Sequence, residues 1–356
     1  MFTDEYATRQ KLSSLWNDPK VETLNTKKKK YVIISDLHLG DGGRADDFQQ
    51  NEMVLLRALQ HYRIHKYNLI LLGDIEEFWQ FELPQIVNRY SDTIYAEIKA
   101  YGDMRVHRLY GNHDSEWAIR TDPLRNRAPK VQFAAEALKM RNINGDLNVL
   151  LVHGHQGTRN SDKNSWASRF FVRLFKSVKP VARRTKLYAG KSATKSQVPK
   201  SYERHFYAWA KENGVLLICG HTHRAMFAGK SYADRLESEI EKFENEMALN
   251  QTHAPNSRRE NARLRRLRRA LFDEQQKGRV IDPTEPGGEP LPCYFNSGCS
   301  LYTDGVTAIE IDEDNIRLVK WRNDDSDVDF EVYGEGSILD FAERMNENVQ
   351  VKEVAA

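Results

Sequence analysis

Tyr31-Val32-Ile33-Ile34-Ser35-Asp36-Leu37-His38 is an apolar, β-branched run that stops at a carboxylate and an imidazole. The run reads as a buried strand, with Asp36-Leu37-His38 just past its end. The same arrangement returns four times. Asn68-Leu69-Ile70-Leu71-Leu72 is closed by Gly73-Asp74, and the run 105–110 by Gly111-Asn112-His113-Asp114. The run 147–152 leads into His153-Gly154-His155, and 215–219 into Gly220-His221-Thr222-His223. Residues 48–64, with Met53, Leu56 and Leu59 at helical spacing, and residues 84–101 read as helices. Short buried strands alternating with helices predict an α/β fold. Such folds build their sites beyond the carboxyl ends of strands. Segments 293–297, 306–311 and 315–320 read as strands of a closing sheet, the last two pairing across Asp312-Glu313-Asp314-Asn315.

Outside this core the chain changes character. Residues 1–30 read as a weakly structured arm ending in Lys27-Lys28-Lys29-Lys30, and residues 336–356 as a C-terminal tail around a domain spanning 31–335. Residues 159–200 are rich in Lys and Arg, with Trp166, Phe170, Phe171, Leu174, Phe175 and Val178 on one helical face. Residues 231–275 read as a hairpin of an acidic and an arginine-rich helix, with Leu236, Ile240, Phe243 and Met247 facing Leu264, Leu267 and Leu271. The formal charge of +2 decides little, because basic and acidic residues are segregated. Three cysteines with no metal-like spacing fit a reducing compartment. The polar start, Met1 to Trp16, shows no signal peptide, and no apolar run is long enough to span a bilayer. The expectation is a cytoplasmic protein, soluble or peripheral to a membrane.

The five motifs supply carboxylate, amide oxygen and imidazole nitrogen. Two close divalent cations need such a set, one carboxylate reaching both and neutral ligands completing each shell. A pair of cations answers the difficulty of phosphate esters, neutralising the phosphoryl oxygens and acidifying a water. Each motif alone is an ordinary turn or cap. Their order, D-x-H, G-D, G-N-H-D, H-G-H and G-H-T-H, resembles the calcineurin-like metallophosphoesterase superfamily. That resemblance implies a β-sandwich flanked by helices, here with a helical cap and a helical hairpin insertion. It implies that Asp36, His38 and His223 hold one metal, that Asn112, His153 and His221 hold the other, and that Asp74 bridges them. It implies that His113 faces the substrate, donating to the leaving oxygen, and that Asp114 orients His113. His155 is left between touching the substrate or a metal-bound oxygen and simply packing. Manganese is the expected metal, with iron or zinc as alternatives.

The stretch Gly73-Asp74-Ile75-Glu76-Glu77-Phe78-Trp79 departs from the G-D-x-V-D-R-G of protein phosphatases. It is similar to that of UDP-2,3-diacylglucosamine hydrolases, a likeness that places Glu77 and Trp79 behind the ligands. That branch usually has Arg where this chain has His113, and it lacks the 231–275 hairpin. The expected substrate is a phosphodiester or pyrophosphate in a UDP-acyl-sugar or another lipid-linked or phosphorylated small molecule. Segment 159–200 suits such a substrate or an anionic membrane surface. Two rivals stand beside this reading. One is a phosphodiesterase of nucleic acid or nucleotides, using the Arg-rich stretch 258–269. The other is a peripheral scaffold with a vestigial metal site.

Overall fold

The computed structural model describes residues 4–118, 134–142, 145–157, 197–250, 258–276, 290–302, 305–323 and 328–355. In chain order the elements are α1 (Glu5–Asn17), β1 (Thr23–Asn25), β2 (Lys30–Ile34), α2 (Glu52–Ile64), β3 (Tyr67–Leu72), α3 (Leu83–Tyr90), α4 (Ile94–Ala100), β4 (Val106–Leu109), β5 (Ala137–Arg141) and β6 (Val149–Val152). There follow α5 (Gln197–Asn213), β7 (Leu216–Cys219), β8 (Ala225–Phe227), β9 (Lys230–Ser231), α6 (Tyr232–Asn250), α7 (Arg258–Gln276), β10 (Tyr294–Ser297), β11 (Val306–Asp312), β12 (Asn315–Asn323), β13 (Val328–Ser337) and α8 (Ile338–Ala355).

Two sheets form a sandwich. One runs β13-β12-β11-β2-β3-β4 and the other β1-β5-β6-β7-β10-β8-β9. At the heart of the first, β2, β3 and β4 are parallel. In the second, β6, β7 and β10 are parallel. Parallel strands put their carboxyl ends on one edge, so the motifs that follow them meet there. Side-chain alternation divides the core. Tyr31 and Ile33 of β2 join the cluster that includes β6, β7 and β10, while Val32 and Ile34 join the cluster under α2, α3 and α4. Helices α1, α5 and α8 pack together on the second sheet's side. Helix, sheet, sheet, helix is the resulting layer order.

Several boundaries differ from the sequence reading. Residues 5–17 are not a loose arm. Asp4 caps a helix by accepting from the amides of Tyr6 and Ala7, and Leu12 and Leu15 are buried in the core. Strand β1 then pairs with β5. Residues 338–355 are a helix rather than a tail, anchored by Ile338, Ala342 and Met345 in the same core. The helix expected over 84–101 is two, because Thr93 leaves helical geometry (φ −119°, ψ −91°) between α3 and α4. β11 and β12 do pair with Asp312 opposite Asn315. The α6–α7 hairpin is present, with Leu236, Ile240 and Met247 buried and the pairs Arg263–Glu239 and Arg268–Glu244 between its helices. All three cysteines are free and buried. The aromatic cap residues, Trp166 to Val178, lie outside the described residues. No described helix is long and apolar enough to cross a membrane.

Candidate metal centre

Asp36 follows β2 by two residues, Asp74 follows β3 by two, and His153 begins directly after β6. His221 and His223 follow β7, and Asn112 and His113 follow β4. The parallel arrangement therefore delivers all seven predicted ligands and His113 to one edge of the sandwich. Three groups converge there, one of them His38, Glu77 and His113 and the other two made wholly of predicted ligands. The ligand atoms of Asp36, His38 and His223 lie within 4.8 Å of one another, as do those of Asp74, His153 and His221. Asp74 joins the sets, with Oδ2 3.1 Å from His153 Nε2 and 3.9 Å from His38 Nε2. In the first set, His223 Nε2 is 3.2 Å from Asp36 Oδ1 and 3.2 Å from His38 Nε2.

The backbone carries strain here. Asp36, His38, Asp74, His221 and His223 all have φ between 50° and 68°. They are five of the nine non-glycine residues in that region among the described residues. Each such residue costs about 1–3 kcal/mol, and the surroundings must over-determine it. Hydrogen bonds do so. Asp36 Oδ2 accepts from the amide of His221 at 2.9 Å, and Asp74 Oδ1 from that of His113 at 2.8 Å. Two motif glycines leave room for the carboxylates. A Cβ at Gly111 would strike Asp74 Oδ1, and one at Gly220 would meet Asp36 Oδ2 at 2.5 Å.

The donor set fits cations. Asp36 Oδ1, Asn112 Oδ1 and His153 Nε2 are buried and make no hydrogen bond, an arrangement that is costly unless something satisfies them. The tautomers also fit. His153 Nδ1 donates to the Leu72 carbonyl at 2.8 Å, and His38 Nδ1 lies 2.8 Å from Glu77 Oε2. In each ring Nε2 is left for a metal. Burial pulls the His153 imidazole down, but the Asp74 and Asp36 carboxylates overcome this and hold it up at about 9. The same imidazoles hold both carboxylates below their usual range, against burial. Without a cation, protons bind these groups together, and a metal would displace them.

One role departs from the sequence reading. Asp114 does not orient His113. Its carboxylate accepts from the amides of Gly111 (2.6 Å), Ile75 (2.9 Å) and Asp74 (3.2 Å) and faces Arg108 at 3.3 Å. It braces the turns rather than the imidazole, because the turn after β4 aims it back at the strand ends. Burial, with Asp74 and Glu76 nearby, raises it to about 6 despite Arg108. Glu77 takes the orienting task, with Oε1 2.8 Å from His113 Nδ1. Its pKa is held at about 2, since His113 and His38 outweigh burial. Trp79 stacks on His113 at 3.9 Å between ring centroids and donates to the Asn112 carbonyl. His155 is buried with its ring 5.5 Å from that of His153.

Sequence reasoning missed the support behind Asp74. Glu76 is fully buried, paired with Arg108, and accepts from Tyr95 Oη and Trp117 Nε1 at 2.7 and 2.8 Å. Glu76 beside Glu77 in the G-D motif was the available signal, since one face of that turn meets the site and the other the core.

A family model agrees with this arrangement. The calcineurin-like phosphoesterase family model matches residues 29–225, more than half of the chain. No curated protein matches. Among solved structures, vacuolar protein sorting 29 from Cryptosporidium parvum is 12% identical, with 87% of this chain and 98% of that one covered and a TM-score of 0.32. Wild-type Vps29 complexed with zinc from Entamoeba histolytica is 12% identical, with 86% and 99% covered and a TM-score of 0.31. With the family model spanning every strand end that gathers these ligands, the chain belongs to the calcineurin-like phosphoesterases and is a metal-dependent hydrolase of phosphoric ester bonds.

Proposed function

We propose that the chain is a dimetal phosphohydrolase that cleaves a phosphodiester or pyrophosphate bond. Asp36, His38 and His223 hold one cation, Asn112, His153 and His221 the other, and Asp74 lies between them. The observation that carries this reading is the convergence of the two ligand sets on Asp74, with buried oxygens and a nitrogen otherwise unsatisfied. When bound, two divalent cations neutralise phosphoryl oxygens and acidify water; manganese suits the mixed oxygen and nitrogen ligands.

The chain's own residues supply the rest. Glu77 takes Nδ1 of His113, so Nε2 is the edge left for the substrate. Trp79 fixes the ring plane. A proton on Nε2 goes to the oxygen that leaves phosphorus, as in general acid catalysis. Glu77 also holds His38, so one carboxylate sets the tautomers of a ligand and of the acid.

For the substrate, the stretch Gly73 to Trp79 and the basic, aromatic composition of 159–200 support a lipid-linked or UDP-acyl-sugar ester. The decisive experiment assays phosphomonoesters, phosphodiesters and UDP-acyl-sugars against manganese, iron and zinc. The expected result is two metals per chain, activity lost with chelator, and diester or anhydride cleavage above monoester cleavage. Activity confined to monoesters, or indifferent to chelator, would overturn the reading.

A further inference from the structure

His221 and His223 alternate with Thr222 and Arg224, and the two pairs face opposite ways. The imidazoles join Asp74 and Asp36 at the centre. The other two side chains run back to a single carboxylate on α5. Thr222 Oγ1 donates to Glu203 Oε1 at 2.9 Å, and Arg224 Nη1 faces Glu203 Oε2 at 3.2 Å as an ion pair without a hydrogen bond. All three residues are buried, with 1% exposure for Glu203, 4% for Thr222 and 5% for Arg224. Asn296 on β10 completes the frame, donating to the Gly220 carbonyl at 2.7 Å and to Thr222 Oγ1 at 3.2 Å.

This turn needs such a frame. Both histidines sit at positive φ, 68° and 57°, and such a conformation persists only where its surroundings impose it. Glycine would adopt it freely, but glycine carries no imidazole. Burying a carboxylate and a guanidinium is expensive and adds little net stability on its own. What the pair adds here is position, because it fixes the two residues that flank His223.

We propose that Glu203 is a positioning residue of the metal centre: its two carboxylate oxygens hold Thr222 and Arg224 and thereby aim His221 and His223, one into each ligand set. Glu203 belongs to none of the candidate ligand groups. The inference rests on the dimetal reading above, and it assigns α5 a part in metal binding that the five motifs do not contain.

The test measures manganese binding by competition with a chromogenic chelator on the full chain, with thermal melts of the chelator-treated protein alongside. Glu203→Gln should weaken manganese binding by about tenfold or more, the range for groups that hold metal ligands in place. Thr222→Val, which keeps shape and leaves the ion pair, should weaken it several-fold with a smaller loss of Tm than Glu310→Gln, and it carries the test if Glu203→Gln does not fold. Glu310→Gln is the control. It discharges a different buried carboxylate, Glu310, which pairs with the partly exposed Arg317 at 2.6 Å, and should lower Tm while binding manganese as the wild type does. Wild-type affinity in Thr222→Val and in any folded Glu203→Gln would overturn the assignment. So would an equal loss of affinity in Glu310→Gln, which would make the effect one of stability alone. A wild-type chain that binds no manganese would overturn the dimetal reading and this inference together.

Discussion

In the candidate metal centre, carboxylates and most imidazoles are buried, the backbone is left-handed at five candidate ligand positions, and glycines make room for oxygens. In the α6–α7 hairpin, charges pair on regular helices in water. Arg263 and Glu239 are 54% and 47% exposed, and Arg268 and Glu244 are 61% and 41% exposed. Both regions bring opposite charges within 2.6–3.2 Å. They differ in what water does. It screens the hairpin pairs, which are each worth about 0–1 kcal/mol. At the centre burial weakens that screening, and the same attraction shifts protons and supports strained backbone. Proximity of charge alone therefore does not mark a site; burial with strain does.

The sharpest way to break the contrast is Asp74→Asn, which removes the carboxylate proposed to serve both sets. Turnover should fall by about 10³-fold or more, about 4 kcal/mol of transition-state stabilisation. Wild-type rates with metal content confirmed would remove Asp74 from the centre. Next, His113→Ala should lower kcat by about 10²-fold, as for a lost general acid, with two metals still bound; metal analysis showing one missing would make His113 a ligand instead. Glu77→Gln should cost about 10–100-fold. It separates the roles of Glu77 and Asp114, since the loss should fall mainly on kcat if His113 is misaimed.

A pH series tests the proton economy of the centre. His153 has a raised pKa, about 9 against an ordinary 6.5. Its stabilising contribution to the metal-free protein is complete below about 6.5 and is lost as pH rises through about 9. Tm of metal-free protein should fall across that window, while manganese affinity rises because the displaced proton has already left. Flat profiles in both would show that His153 carries no such proton. The smallest effect belongs to the hairpin. Arg268→Ala should lower stability by less than about 1 kcal/mol and leave kcat unchanged, a result denaturant melts and steady-state rates can check.

Legibility followed sequence distance. The strands 31–35, 68–72 and 215–219 were readable because a β-branched or leucine run breaks at a polar motif, and such breaks recur wherever a parallel strand ends at a site. Helices α1 and α8 were not, because their sequences carry weak periodicity and their burial depends on α5 and the second sheet. Asp114 was misread for a related reason. Adjacency to His113 suggested contact, but a turn sends neighbouring side chains apart.

The sequence by itself determined the chemistry on offer: which strands end in metal-ligating side chains, in what order, and with how many oxygens and nitrogens. Only the tertiary structure decided which carboxylate serves which imidazole. Glu77 reaches both His38 and His113, and Glu203 reaches Thr222 and Arg224. Those pairings join residues 19 to 39 positions apart, and they arise from strand register, left-handed φ and burial, none of which is a property of any residue on its own.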